Sequence, residues 1–200
     1  MNTEGKDRRV RRTRQLLHEA LISLILEQPY HTISVQEILD RADVGRSTFY
    51  AHFQDKDALF RYGFDRMLDS LNQQMDGQKQ ELTGDSLFPS LELFKHVQNN
   101  QALYKALVPG RGIELFQKYG QNALSQRIER SLESQFPVRA MNVIPLPVLS
   151  YYLAGAFITL LQWWLDNRMP YSPEQMDDIF RQLALHGVFS VLEPVDGASQ

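Results

Sequence analysis

Residues 45–53, Gly-Arg-Ser-Thr-Phe-Tyr-Ala-His-Phe, carry groups suited to reading a nucleic acid rather than to making or breaking bonds. At about 100° per residue of helix, Arg46, Ser47 and Tyr50 fall within roughly a quarter turn, and Thr48, Phe49 and His52 lie on the other side. An arginine fork pairs with guanine O6 and N7 or with a phosphate, and a small serine permits close approach. A tyrosine stacks on a thymine methyl or donates to a phosphate. Phe49 and Phe53 are the apolar anchors that hold so short a helix. Upstream, residues 6–14 hold six basic side chains, Lys6, Arg8, Arg9, Arg11, Arg12 and Arg14, against one acid, Asp7. Such an arm is either a solvated tail or a phosphate or minor-groove contact, and its place ahead of a reading helix favours the second.

Constellations for catalysis are missing. Without cysteine there is no thiol nucleophile, disulfide framework or cysteine-held zinc. His18, His31, His96 and His186 show no ligand spacing, and Glu129 with Glu133 reads as a solvated helix face, so no metal, cofactor or catalytic residue is expected. No P-loop, G-x-S-x-G, H-E-x-x-H or dinucleotide fingerprint occurs. The net charge of −3 argues against a general polyanion binder, but the charge is uneven. Through Arg66 the chain is +1 and beyond it −4. With a polar, basic beginning and a longest apolar stretch, 148–165, interrupted by Ser150, Thr159 and Gln162, a soluble cytoplasmic protein without a membrane partner is expected.

The elements that must position the reading residues are helical. Apolar spacing is helical almost throughout, and β-branched runs bounded by hairpin turns are absent, so the fold class is all-α. A first helix over about 6–27 buries Leu16, Leu17, Ala20, Leu21, Leu24 and Ile25 and stops before Pro29. Ser34-Val35-Gln36-Glu37 is a capping box opening a short helix that ends near Asp43. The reading helix follows at 45–52, and Asp55 caps a fourth helix over about 55–75 that carries Leu59, Gly63, Phe64, Met67, Leu68 and Leu71 on one side. Two short helices across a tight turn, after a basic arm and a longer helix, have the layout of a helix-turn-helix. A DNA-binding domain is thus placed at 1–60, a helical second domain at 70–192 and a frayed tail at 193–200. In the second domain, helices are expected to restart at Gly84-Asp85-Ser86, then at 101–107 before Pro109-Gly110, at 111–135, at 147–167 after a link stiffened by Pro137, Pro145 and Pro147, and at 172–192 behind Ser172-Pro173-Glu174.

The stretch Ala42-Asp43-Val44-Gly45-Arg46-Ser47-Thr48-Phe49-Tyr50-Ala51-His52-Phe53-Gln54-Asp55-Lys56-Asp57-Ala58-Leu59 resembles the signature of the TetR family of transcriptional regulators, and the likeness covers about residues 8–60. It implies that Gly45, Arg46, Ser47 and Tyr50 contact bases or backbone, that Thr48, His52 and Lys56 contact or orient phosphates, and that Ser34 and Gln36 touch DNA. Gly45 departs from the serine or threonine frequent there, which removes a hydroxyl donor. Beyond residue 70 the likeness is architectural, with Leu103-Tyr104-Lys105-Ala106-Leu107 similar to a segment of some short TetR-like C-terminal regions. The implied function is that of a ligand-responsive regulator, a repressor, on a pseudo-palindromic operator. The rival readings are a DNA-binding regulator whose second domain is a protein-interaction module and, more distantly, a helical enzyme.

Two expectations concern the second domain. The last two helices are apolar on two sides, which suggests a four-helix homodimer contact through Leu149, Tyr152, Phe157, Leu161, Leu185, Phe189 and Leu192. A cavity walled by Phe64, Met67, Phe94, Tyr104, Phe116, Tyr119 and Trp163, with Tyr104, Tyr119 or Gln162 fixing orientation, would take a small neutral or apolar effector.

Overall fold

The computed structural model describes residues 3–77, 89–107, 111–135 and 144–185. Among these residues the structure is helical, without a strand. The first helix, α1 (Thr3–Glu27), runs through the whole basic arm, because arginine and lysine are good helix formers and nothing before Pro29 interrupts it. A 3₁₀ turn at Tyr30–Thr32 then leads to α2 (Val35–Ala42), which opens on the expected capping box. The amide of Glu37 donates to Ser34 Oγ at 3.2 Å, and the amide of Ser34 donates to Glu37 Oε2 at 2.7 Å. Asp43 ends α2 in the left-handed region, with φ 51° and ψ 50°, a conformation a short polar side chain tolerates. The reading helix α3 (Arg46–Tyr50) is shorter than its spacing suggests. The fourth helix, α4 (Lys56–Gly77), is capped by Asp55, whose carboxylate accepts the Ala58 amide at 2.7 Å.

Then come α5 (Ser90–Asn99), α6 (Gln101–Leu107), α7 (Arg111–Gln135), α8 (Leu146–Asp166) and α9 (Pro173–Phe180). The start expected at Gly84-Asp85-Ser86, the breaks at Pro109-Gly110 and Pro137, and the tail lie outside the described residues. Pro147 sits in the first turn of α8, where its missing N–H costs nothing. That helix closes on Arg168 and Met169, both at positive φ, before Pro170. Ser172 caps α9 with Gln175 completing the box. Rather than running on as one α-helix, the chain changes at Arg181–Leu185 to a π-helical turn.

Packing divides the chain into two compact units, residues 1–69 with 102–116, and residues 70–101 with 117–200. The first unit is built on Leu17, Leu21, Ile25, Tyr30, Ile33, Ile38, Phe49 and Leu59, all fully buried. The expected boundary near residues 60–70 assigned 102–116 to the second domain. This segment instead groups with the first unit, where Phe116 meets Phe64 edge to face at a centroid separation of 5.6 Å and Tyr104 packs on Phe116 at 5.5 Å. Gly63 lets α4 lie against the His18 ring, since a Cβ there would stand 2.0 Å from His18 Nε2.

The second unit has an aromatic core. Phe94 packs on Phe157 and Trp164, and Phe157 on Phe180. Between α7 and α8 runs a polar ladder: Gln117 donates to Gln162, Gln121 reaches the Tyr151 carbonyl, and Ser125 and Ser150 hydroxyls meet at 3.2 Å. Among the described residues α8 alone is long and apolar enough to cross a membrane, yet half of that stretch is buried inside its own unit.

Candidate nucleic-acid interface

Three features fix α3. Phe49 is wholly buried and meets the Phe53 ring at 5.9 Å, so one side of the helix is pinned to the core of the first unit. The left-handed turn at Asp43 sets its angle to α2, with the Val44 amide returning to the Leu39 carbonyl at 3.1 Å. At its far end, the amides of His52 and Phe53 both reach the Phe49 carbonyl at 2.8 Å. What remains outward is polar. Arg46 and Ser47 are exposed, Tyr50 is half exposed, and the Arg46 guanidinium stands 5.8 Å from the Tyr50 ring centre. Tyr50 is braced edge-on by Phe49 at 5.3 Å, so its hydroxyl end projects from a fixed base. The arrangement offers a planar cation, a hydroxyl and an aromatic edge on one accessible face, the set that reads base edges and phosphates.

Gly45 is exposed at the N-cap of α3 with extended backbone, and a Cβ there would meet only Thr48 Oγ1 at 3.9 Å. Space therefore does not demand glycine at that position. Thr48 is half-buried beneath it. His52 is half-buried against Phe53, and both burial and the nearby Arg14 charge hold its pKa below the ordinary imidazole value. Arg14 and Arg66 flank the Tyr62 ring at 5.7 and 5.9 Å, and Arg14 is the charge that acts on His52. Gln36 is exposed on α2 and donates to Asp40 at 2.8 Å.

Two of the expected DNA contacts have their side-chain donors engaged within the protein. The Ser34 hydroxyl donates to Glu37 Oε2 at 2.7 Å while accepting the Glu37 amide, so its donor is committed to the cap. Glu37 is held at a pKa of about 2, chiefly by the side-chain amide of Gln28 and by the two Ser34 donors. Lys56 sends its ammonium not outward but to the carbonyls of Tyr30, His31 and Ile33. The engagement of Ser34 follows from its capping box, whereas that of Lys56 shows in no sequence motif, because its acceptors are backbone atoms.

The residues expected to wall an effector cavity separate into groups. Phe64, Tyr104 and Phe116 come together in the first unit, with Met67 half-buried on α4. In the second, Phe94 is fully buried in the aromatic core, Tyr119 is half-buried, and Trp163 is exposed and stacked on Tyr171 at 6.2 Å. Of the expected subunit-contact residues, Leu149, Phe157 and Leu161 are core side chains of the second unit, whereas Tyr152 is 57% exposed. The spacing could not tell which apolar side of α8 faces home. The outward side is Val148, Tyr151, Tyr152 and Trp163. Leu185 ends the described chain, and Phe189 and Leu192 lie outside it.

Comparison with known proteins agrees with this architecture. Residues 17–62 match the family described as bacterial regulatory proteins, tetR family, and residues 89–186 match a transcriptional regulator C-terminal region. The activator DhaS of the dhaKLM operon of Lactococcus lactis is 29% identical over 98 residues, a match spanning about half of each chain, 48% in both cases. A TetR transcriptional regulator from Streptococcus agalactiae is 26% identical, superposing over 92% of this chain and 99% of its own with a TM-score of 0.56. RolR, solved in complex with resorcinol, shares the fold at 17% identity, covering 96% of this chain and 100% of its own with a TM-score of 0.58. The chain belongs to the TetR family of bacterial transcriptional regulators, and α2 and α3 form the helix-turn-helix of its DNA-binding domain.

Proposed function

We propose that the protein acts in the cytoplasm as an effector-responsive homodimeric repressor, reading a pseudo-palindromic operator with two copies of α3 set about 34 Å apart in successive major grooves. The observation that carries this reading is the division of α3: Arg46, Ser47 and Tyr50 outward, Phe49 fully buried. A five-residue helix so anchored has no other evident employment for an exposed arginine and tyrosine. Homodimerisation is supported by the outward aromatic side of α8, where Val148, Tyr151, Tyr152 and Trp163 form a lengthwise apolar stripe that water alone would not favour.

A small neutral or apolar effector is supported by the aromatic packing of Phe64 against Phe116 and of Phe116 against Tyr104, which ties α4 to α6 and α7 within the first unit. A ligand that shifts α6 would move α4 and, with it, the reading helices. That RolR was solved with resorcinol shows that the shared fold accepts a small molecule in at least one case. Repression is the sign expected where the bound operator overlaps the promoter; the Lactococcus lactis relative is named an activator, so transcription with and without the protein reads the sign directly.

The deciding experiment is selection of duplexes from a random library by the full-length protein, followed by affinity measurement at physiological salt. The expected product is a two-fold symmetric site with half-sites one helical turn apart. Recovery of no preferred sequence, or a preferred site bound equally well by the Arg46→Ala variant, would overturn the reading.

A further inference from the structure

We infer that Lys56 is a positioning residue, a clasp fastening the first turn of α4 to the segment that enters α2, and not a contact to the DNA backbone. An ammonium has three N–H donors. In Lys56 they converge on three carbonyls, Ile33 at 2.5 Å, Tyr30 at 2.9 Å and His31 at 3.3 Å, while Nζ stands 4.8 Å from the Tyr30 ring centre. Charge-assisted bonds of this kind are roughly twice as strong as neutral ones, and a cation over an aromatic face gains further. Moving the ammonium to a phosphate would give all of this up. The neighbouring residue completes the grip: Tyr30 donates its hydroxyl to Asp57 Oδ1 at 2.5 Å, and Phe60, one turn on, meets the Tyr30 ring edge-on at 5.6 Å. Tyr30 is thus held at its carbonyl, its ring and its hydroxyl by a single turn of α4, and it is almost wholly buried.

The consequence lies in what the clasp joins. Ile33 immediately precedes Ser34, the N-cap of α2. Chain connectivity already ties α3 to α4 through residues 51–55, and Lys56 ties the other end of the helix-turn-helix to that same helix. With both ends fastened, α2 and α3 follow α4 as one body, so a tilt of α4 becomes a displacement of the reading face rather than a shear within it.

The inference rests on α3 being the DNA reader, and its test separates the two. The full-length protein and its variants are titrated with a duplex selected by the parent and with a scrambled duplex across a range of salt. For Lys56→Ala, loss of the clasp lowers the ratio of selected to scrambled affinity by about tenfold, the scale of a mismatched base pair. The slope of log affinity against log salt stays that of the parent. A phosphate contact would instead make that slope shallower by about 0.9 and weaken both duplexes alike. Lys56→Arg discriminates further: it keeps the charge a phosphate needs, but a planar fork cannot converge on three carbonyls, so a clasp predicts that it behaves like Lys56→Ala. Amide exchange in the free protein reports on the clasp without DNA, with faster exchange expected at residues 35–39 and none of that change in α8. If Lys56→Ala does not fold, Tyr30→Phe and Asp57→Ala each remove the hydrogen bond between Tyr30 and Asp57 and should move exchange and discrimination in the same direction. A shallower salt slope with discrimination kept, or exchange at 35–39 equal to the parent, overturns the clasp. If the parent selects no duplex, the reading of α3 fails and exchange alone decides the clasp.

Discussion

The two units solve the placement of aromatic side chains in opposite ways. In the first, Phe49 and Tyr30 are buried, ring to ring with Phe53 and Phe60, and the accessible face of α3 is left to an arginine, a serine and the edge of one tyrosine. In the second, Phe94, Phe157, Trp164 and Phe180 fill the core, and further aromatics, Tyr151, Tyr152 and Trp163, remain on the outside of α8. A surface meant for phosphates and base edges must stay wet and polar, whereas a surface meant for another protein must hold apolar area in reserve. The difference fits the first unit's role on DNA and the proposal that the second meets another copy of itself.

The largest effects should come from breaking each core separately. Phe49→Ala removes a fully buried ring and should cost about 3–5 kcal/mol, unfolding α3 and abolishing selective DNA binding while the second unit keeps its exchange protection. Phe94→Ala should cost about the same in the second unit and leave the first protected. Residue-resolved amide exchange through a denaturant series is the measurement. If either variant opens both units together, the two regions are not separable in stability and the comparison loses its basis.

The outward side of α8 comes next. If the proposed dimer forms through this side, Tyr152→Glu with Trp163→Glu should leave a monomer in sedimentation, since interface aromatics at a contact centre are worth about 2 kcal/mol or more each. Leu161→Ala, buried in the unit's own core, should instead cost about 2–5 kcal/mol of folding stability and leave the folded fraction dimeric. The reverse pattern would return the contact to the side that spacing alone suggested. Smaller again is Arg46→Ala, expected to cost about 1–3 kcal/mol in operator affinity and to flatten sequence preference, with folding changed by less than about 0.5 kcal/mol because the side chain is exposed.

Much of this was legible before any coordinates. The capping box at Ser34 with Glu37 announces itself because both partners are side chains at a fixed spacing, and Ser172 ahead of Pro173 marks the start of α9. The bounds of α7 and the polar side of α3 follow from periodicity in the same way. The inward turn of Lys56 was hidden, as carbonyl acceptors look alike along every chain. So was the side of α8 that faces its own core: Leu149 and Leu161 are no more apolar than Tyr152 and Trp163 by enough to rank them. The attachment of residues 102–116 to the first unit depends on ring packing between Phe64, Tyr104 and Phe116, residues far apart in sequence.

The smallest expected effect is also the one in which the two units should move in opposite directions, under acid. In the first unit His18 lies against Gly63, and burial, aided by the Arg66 charge and opposed by Glu19, holds its pKa below the ordinary imidazole value. A folded pKa below the unfolded one of about 6.5 means that its share of stability is complete above pH 6.5 and is lost as pH falls through the folded pKa. In the second unit Asp177 is buried and accepts the Ser90 hydroxyl at 2.5 Å; burial raises its pKa, opposed by that bond and by Arg181, while Asp178 and Glu92 push the same way as burial. A folded pKa above the unfolded one reverses the sign: the stabilisation is complete below about pH 3.8 and is lost as pH rises through the folded pKa. Acidification from neutrality should therefore loosen the first unit through His18 and tighten the second through Asp177. The variants isolate each contribution. Asp177→Asn can still accept from Ser90, carries no charge to bury, and should raise protection of α5 and α9 at pH 7 while removing their gain on acidification. His18→Gln should remove the acid loss in α1 and α4. Exchange protection followed residue by residue from pH 7 down to the unfolded carboxyl range of about 3.8, corrected for intrinsic rates, reads both at once, and a second unit that weakens with the first, by an amount Asp177→Asn leaves unchanged, would show that the buried carboxylate is stabilised by its partners rather than held at a cost.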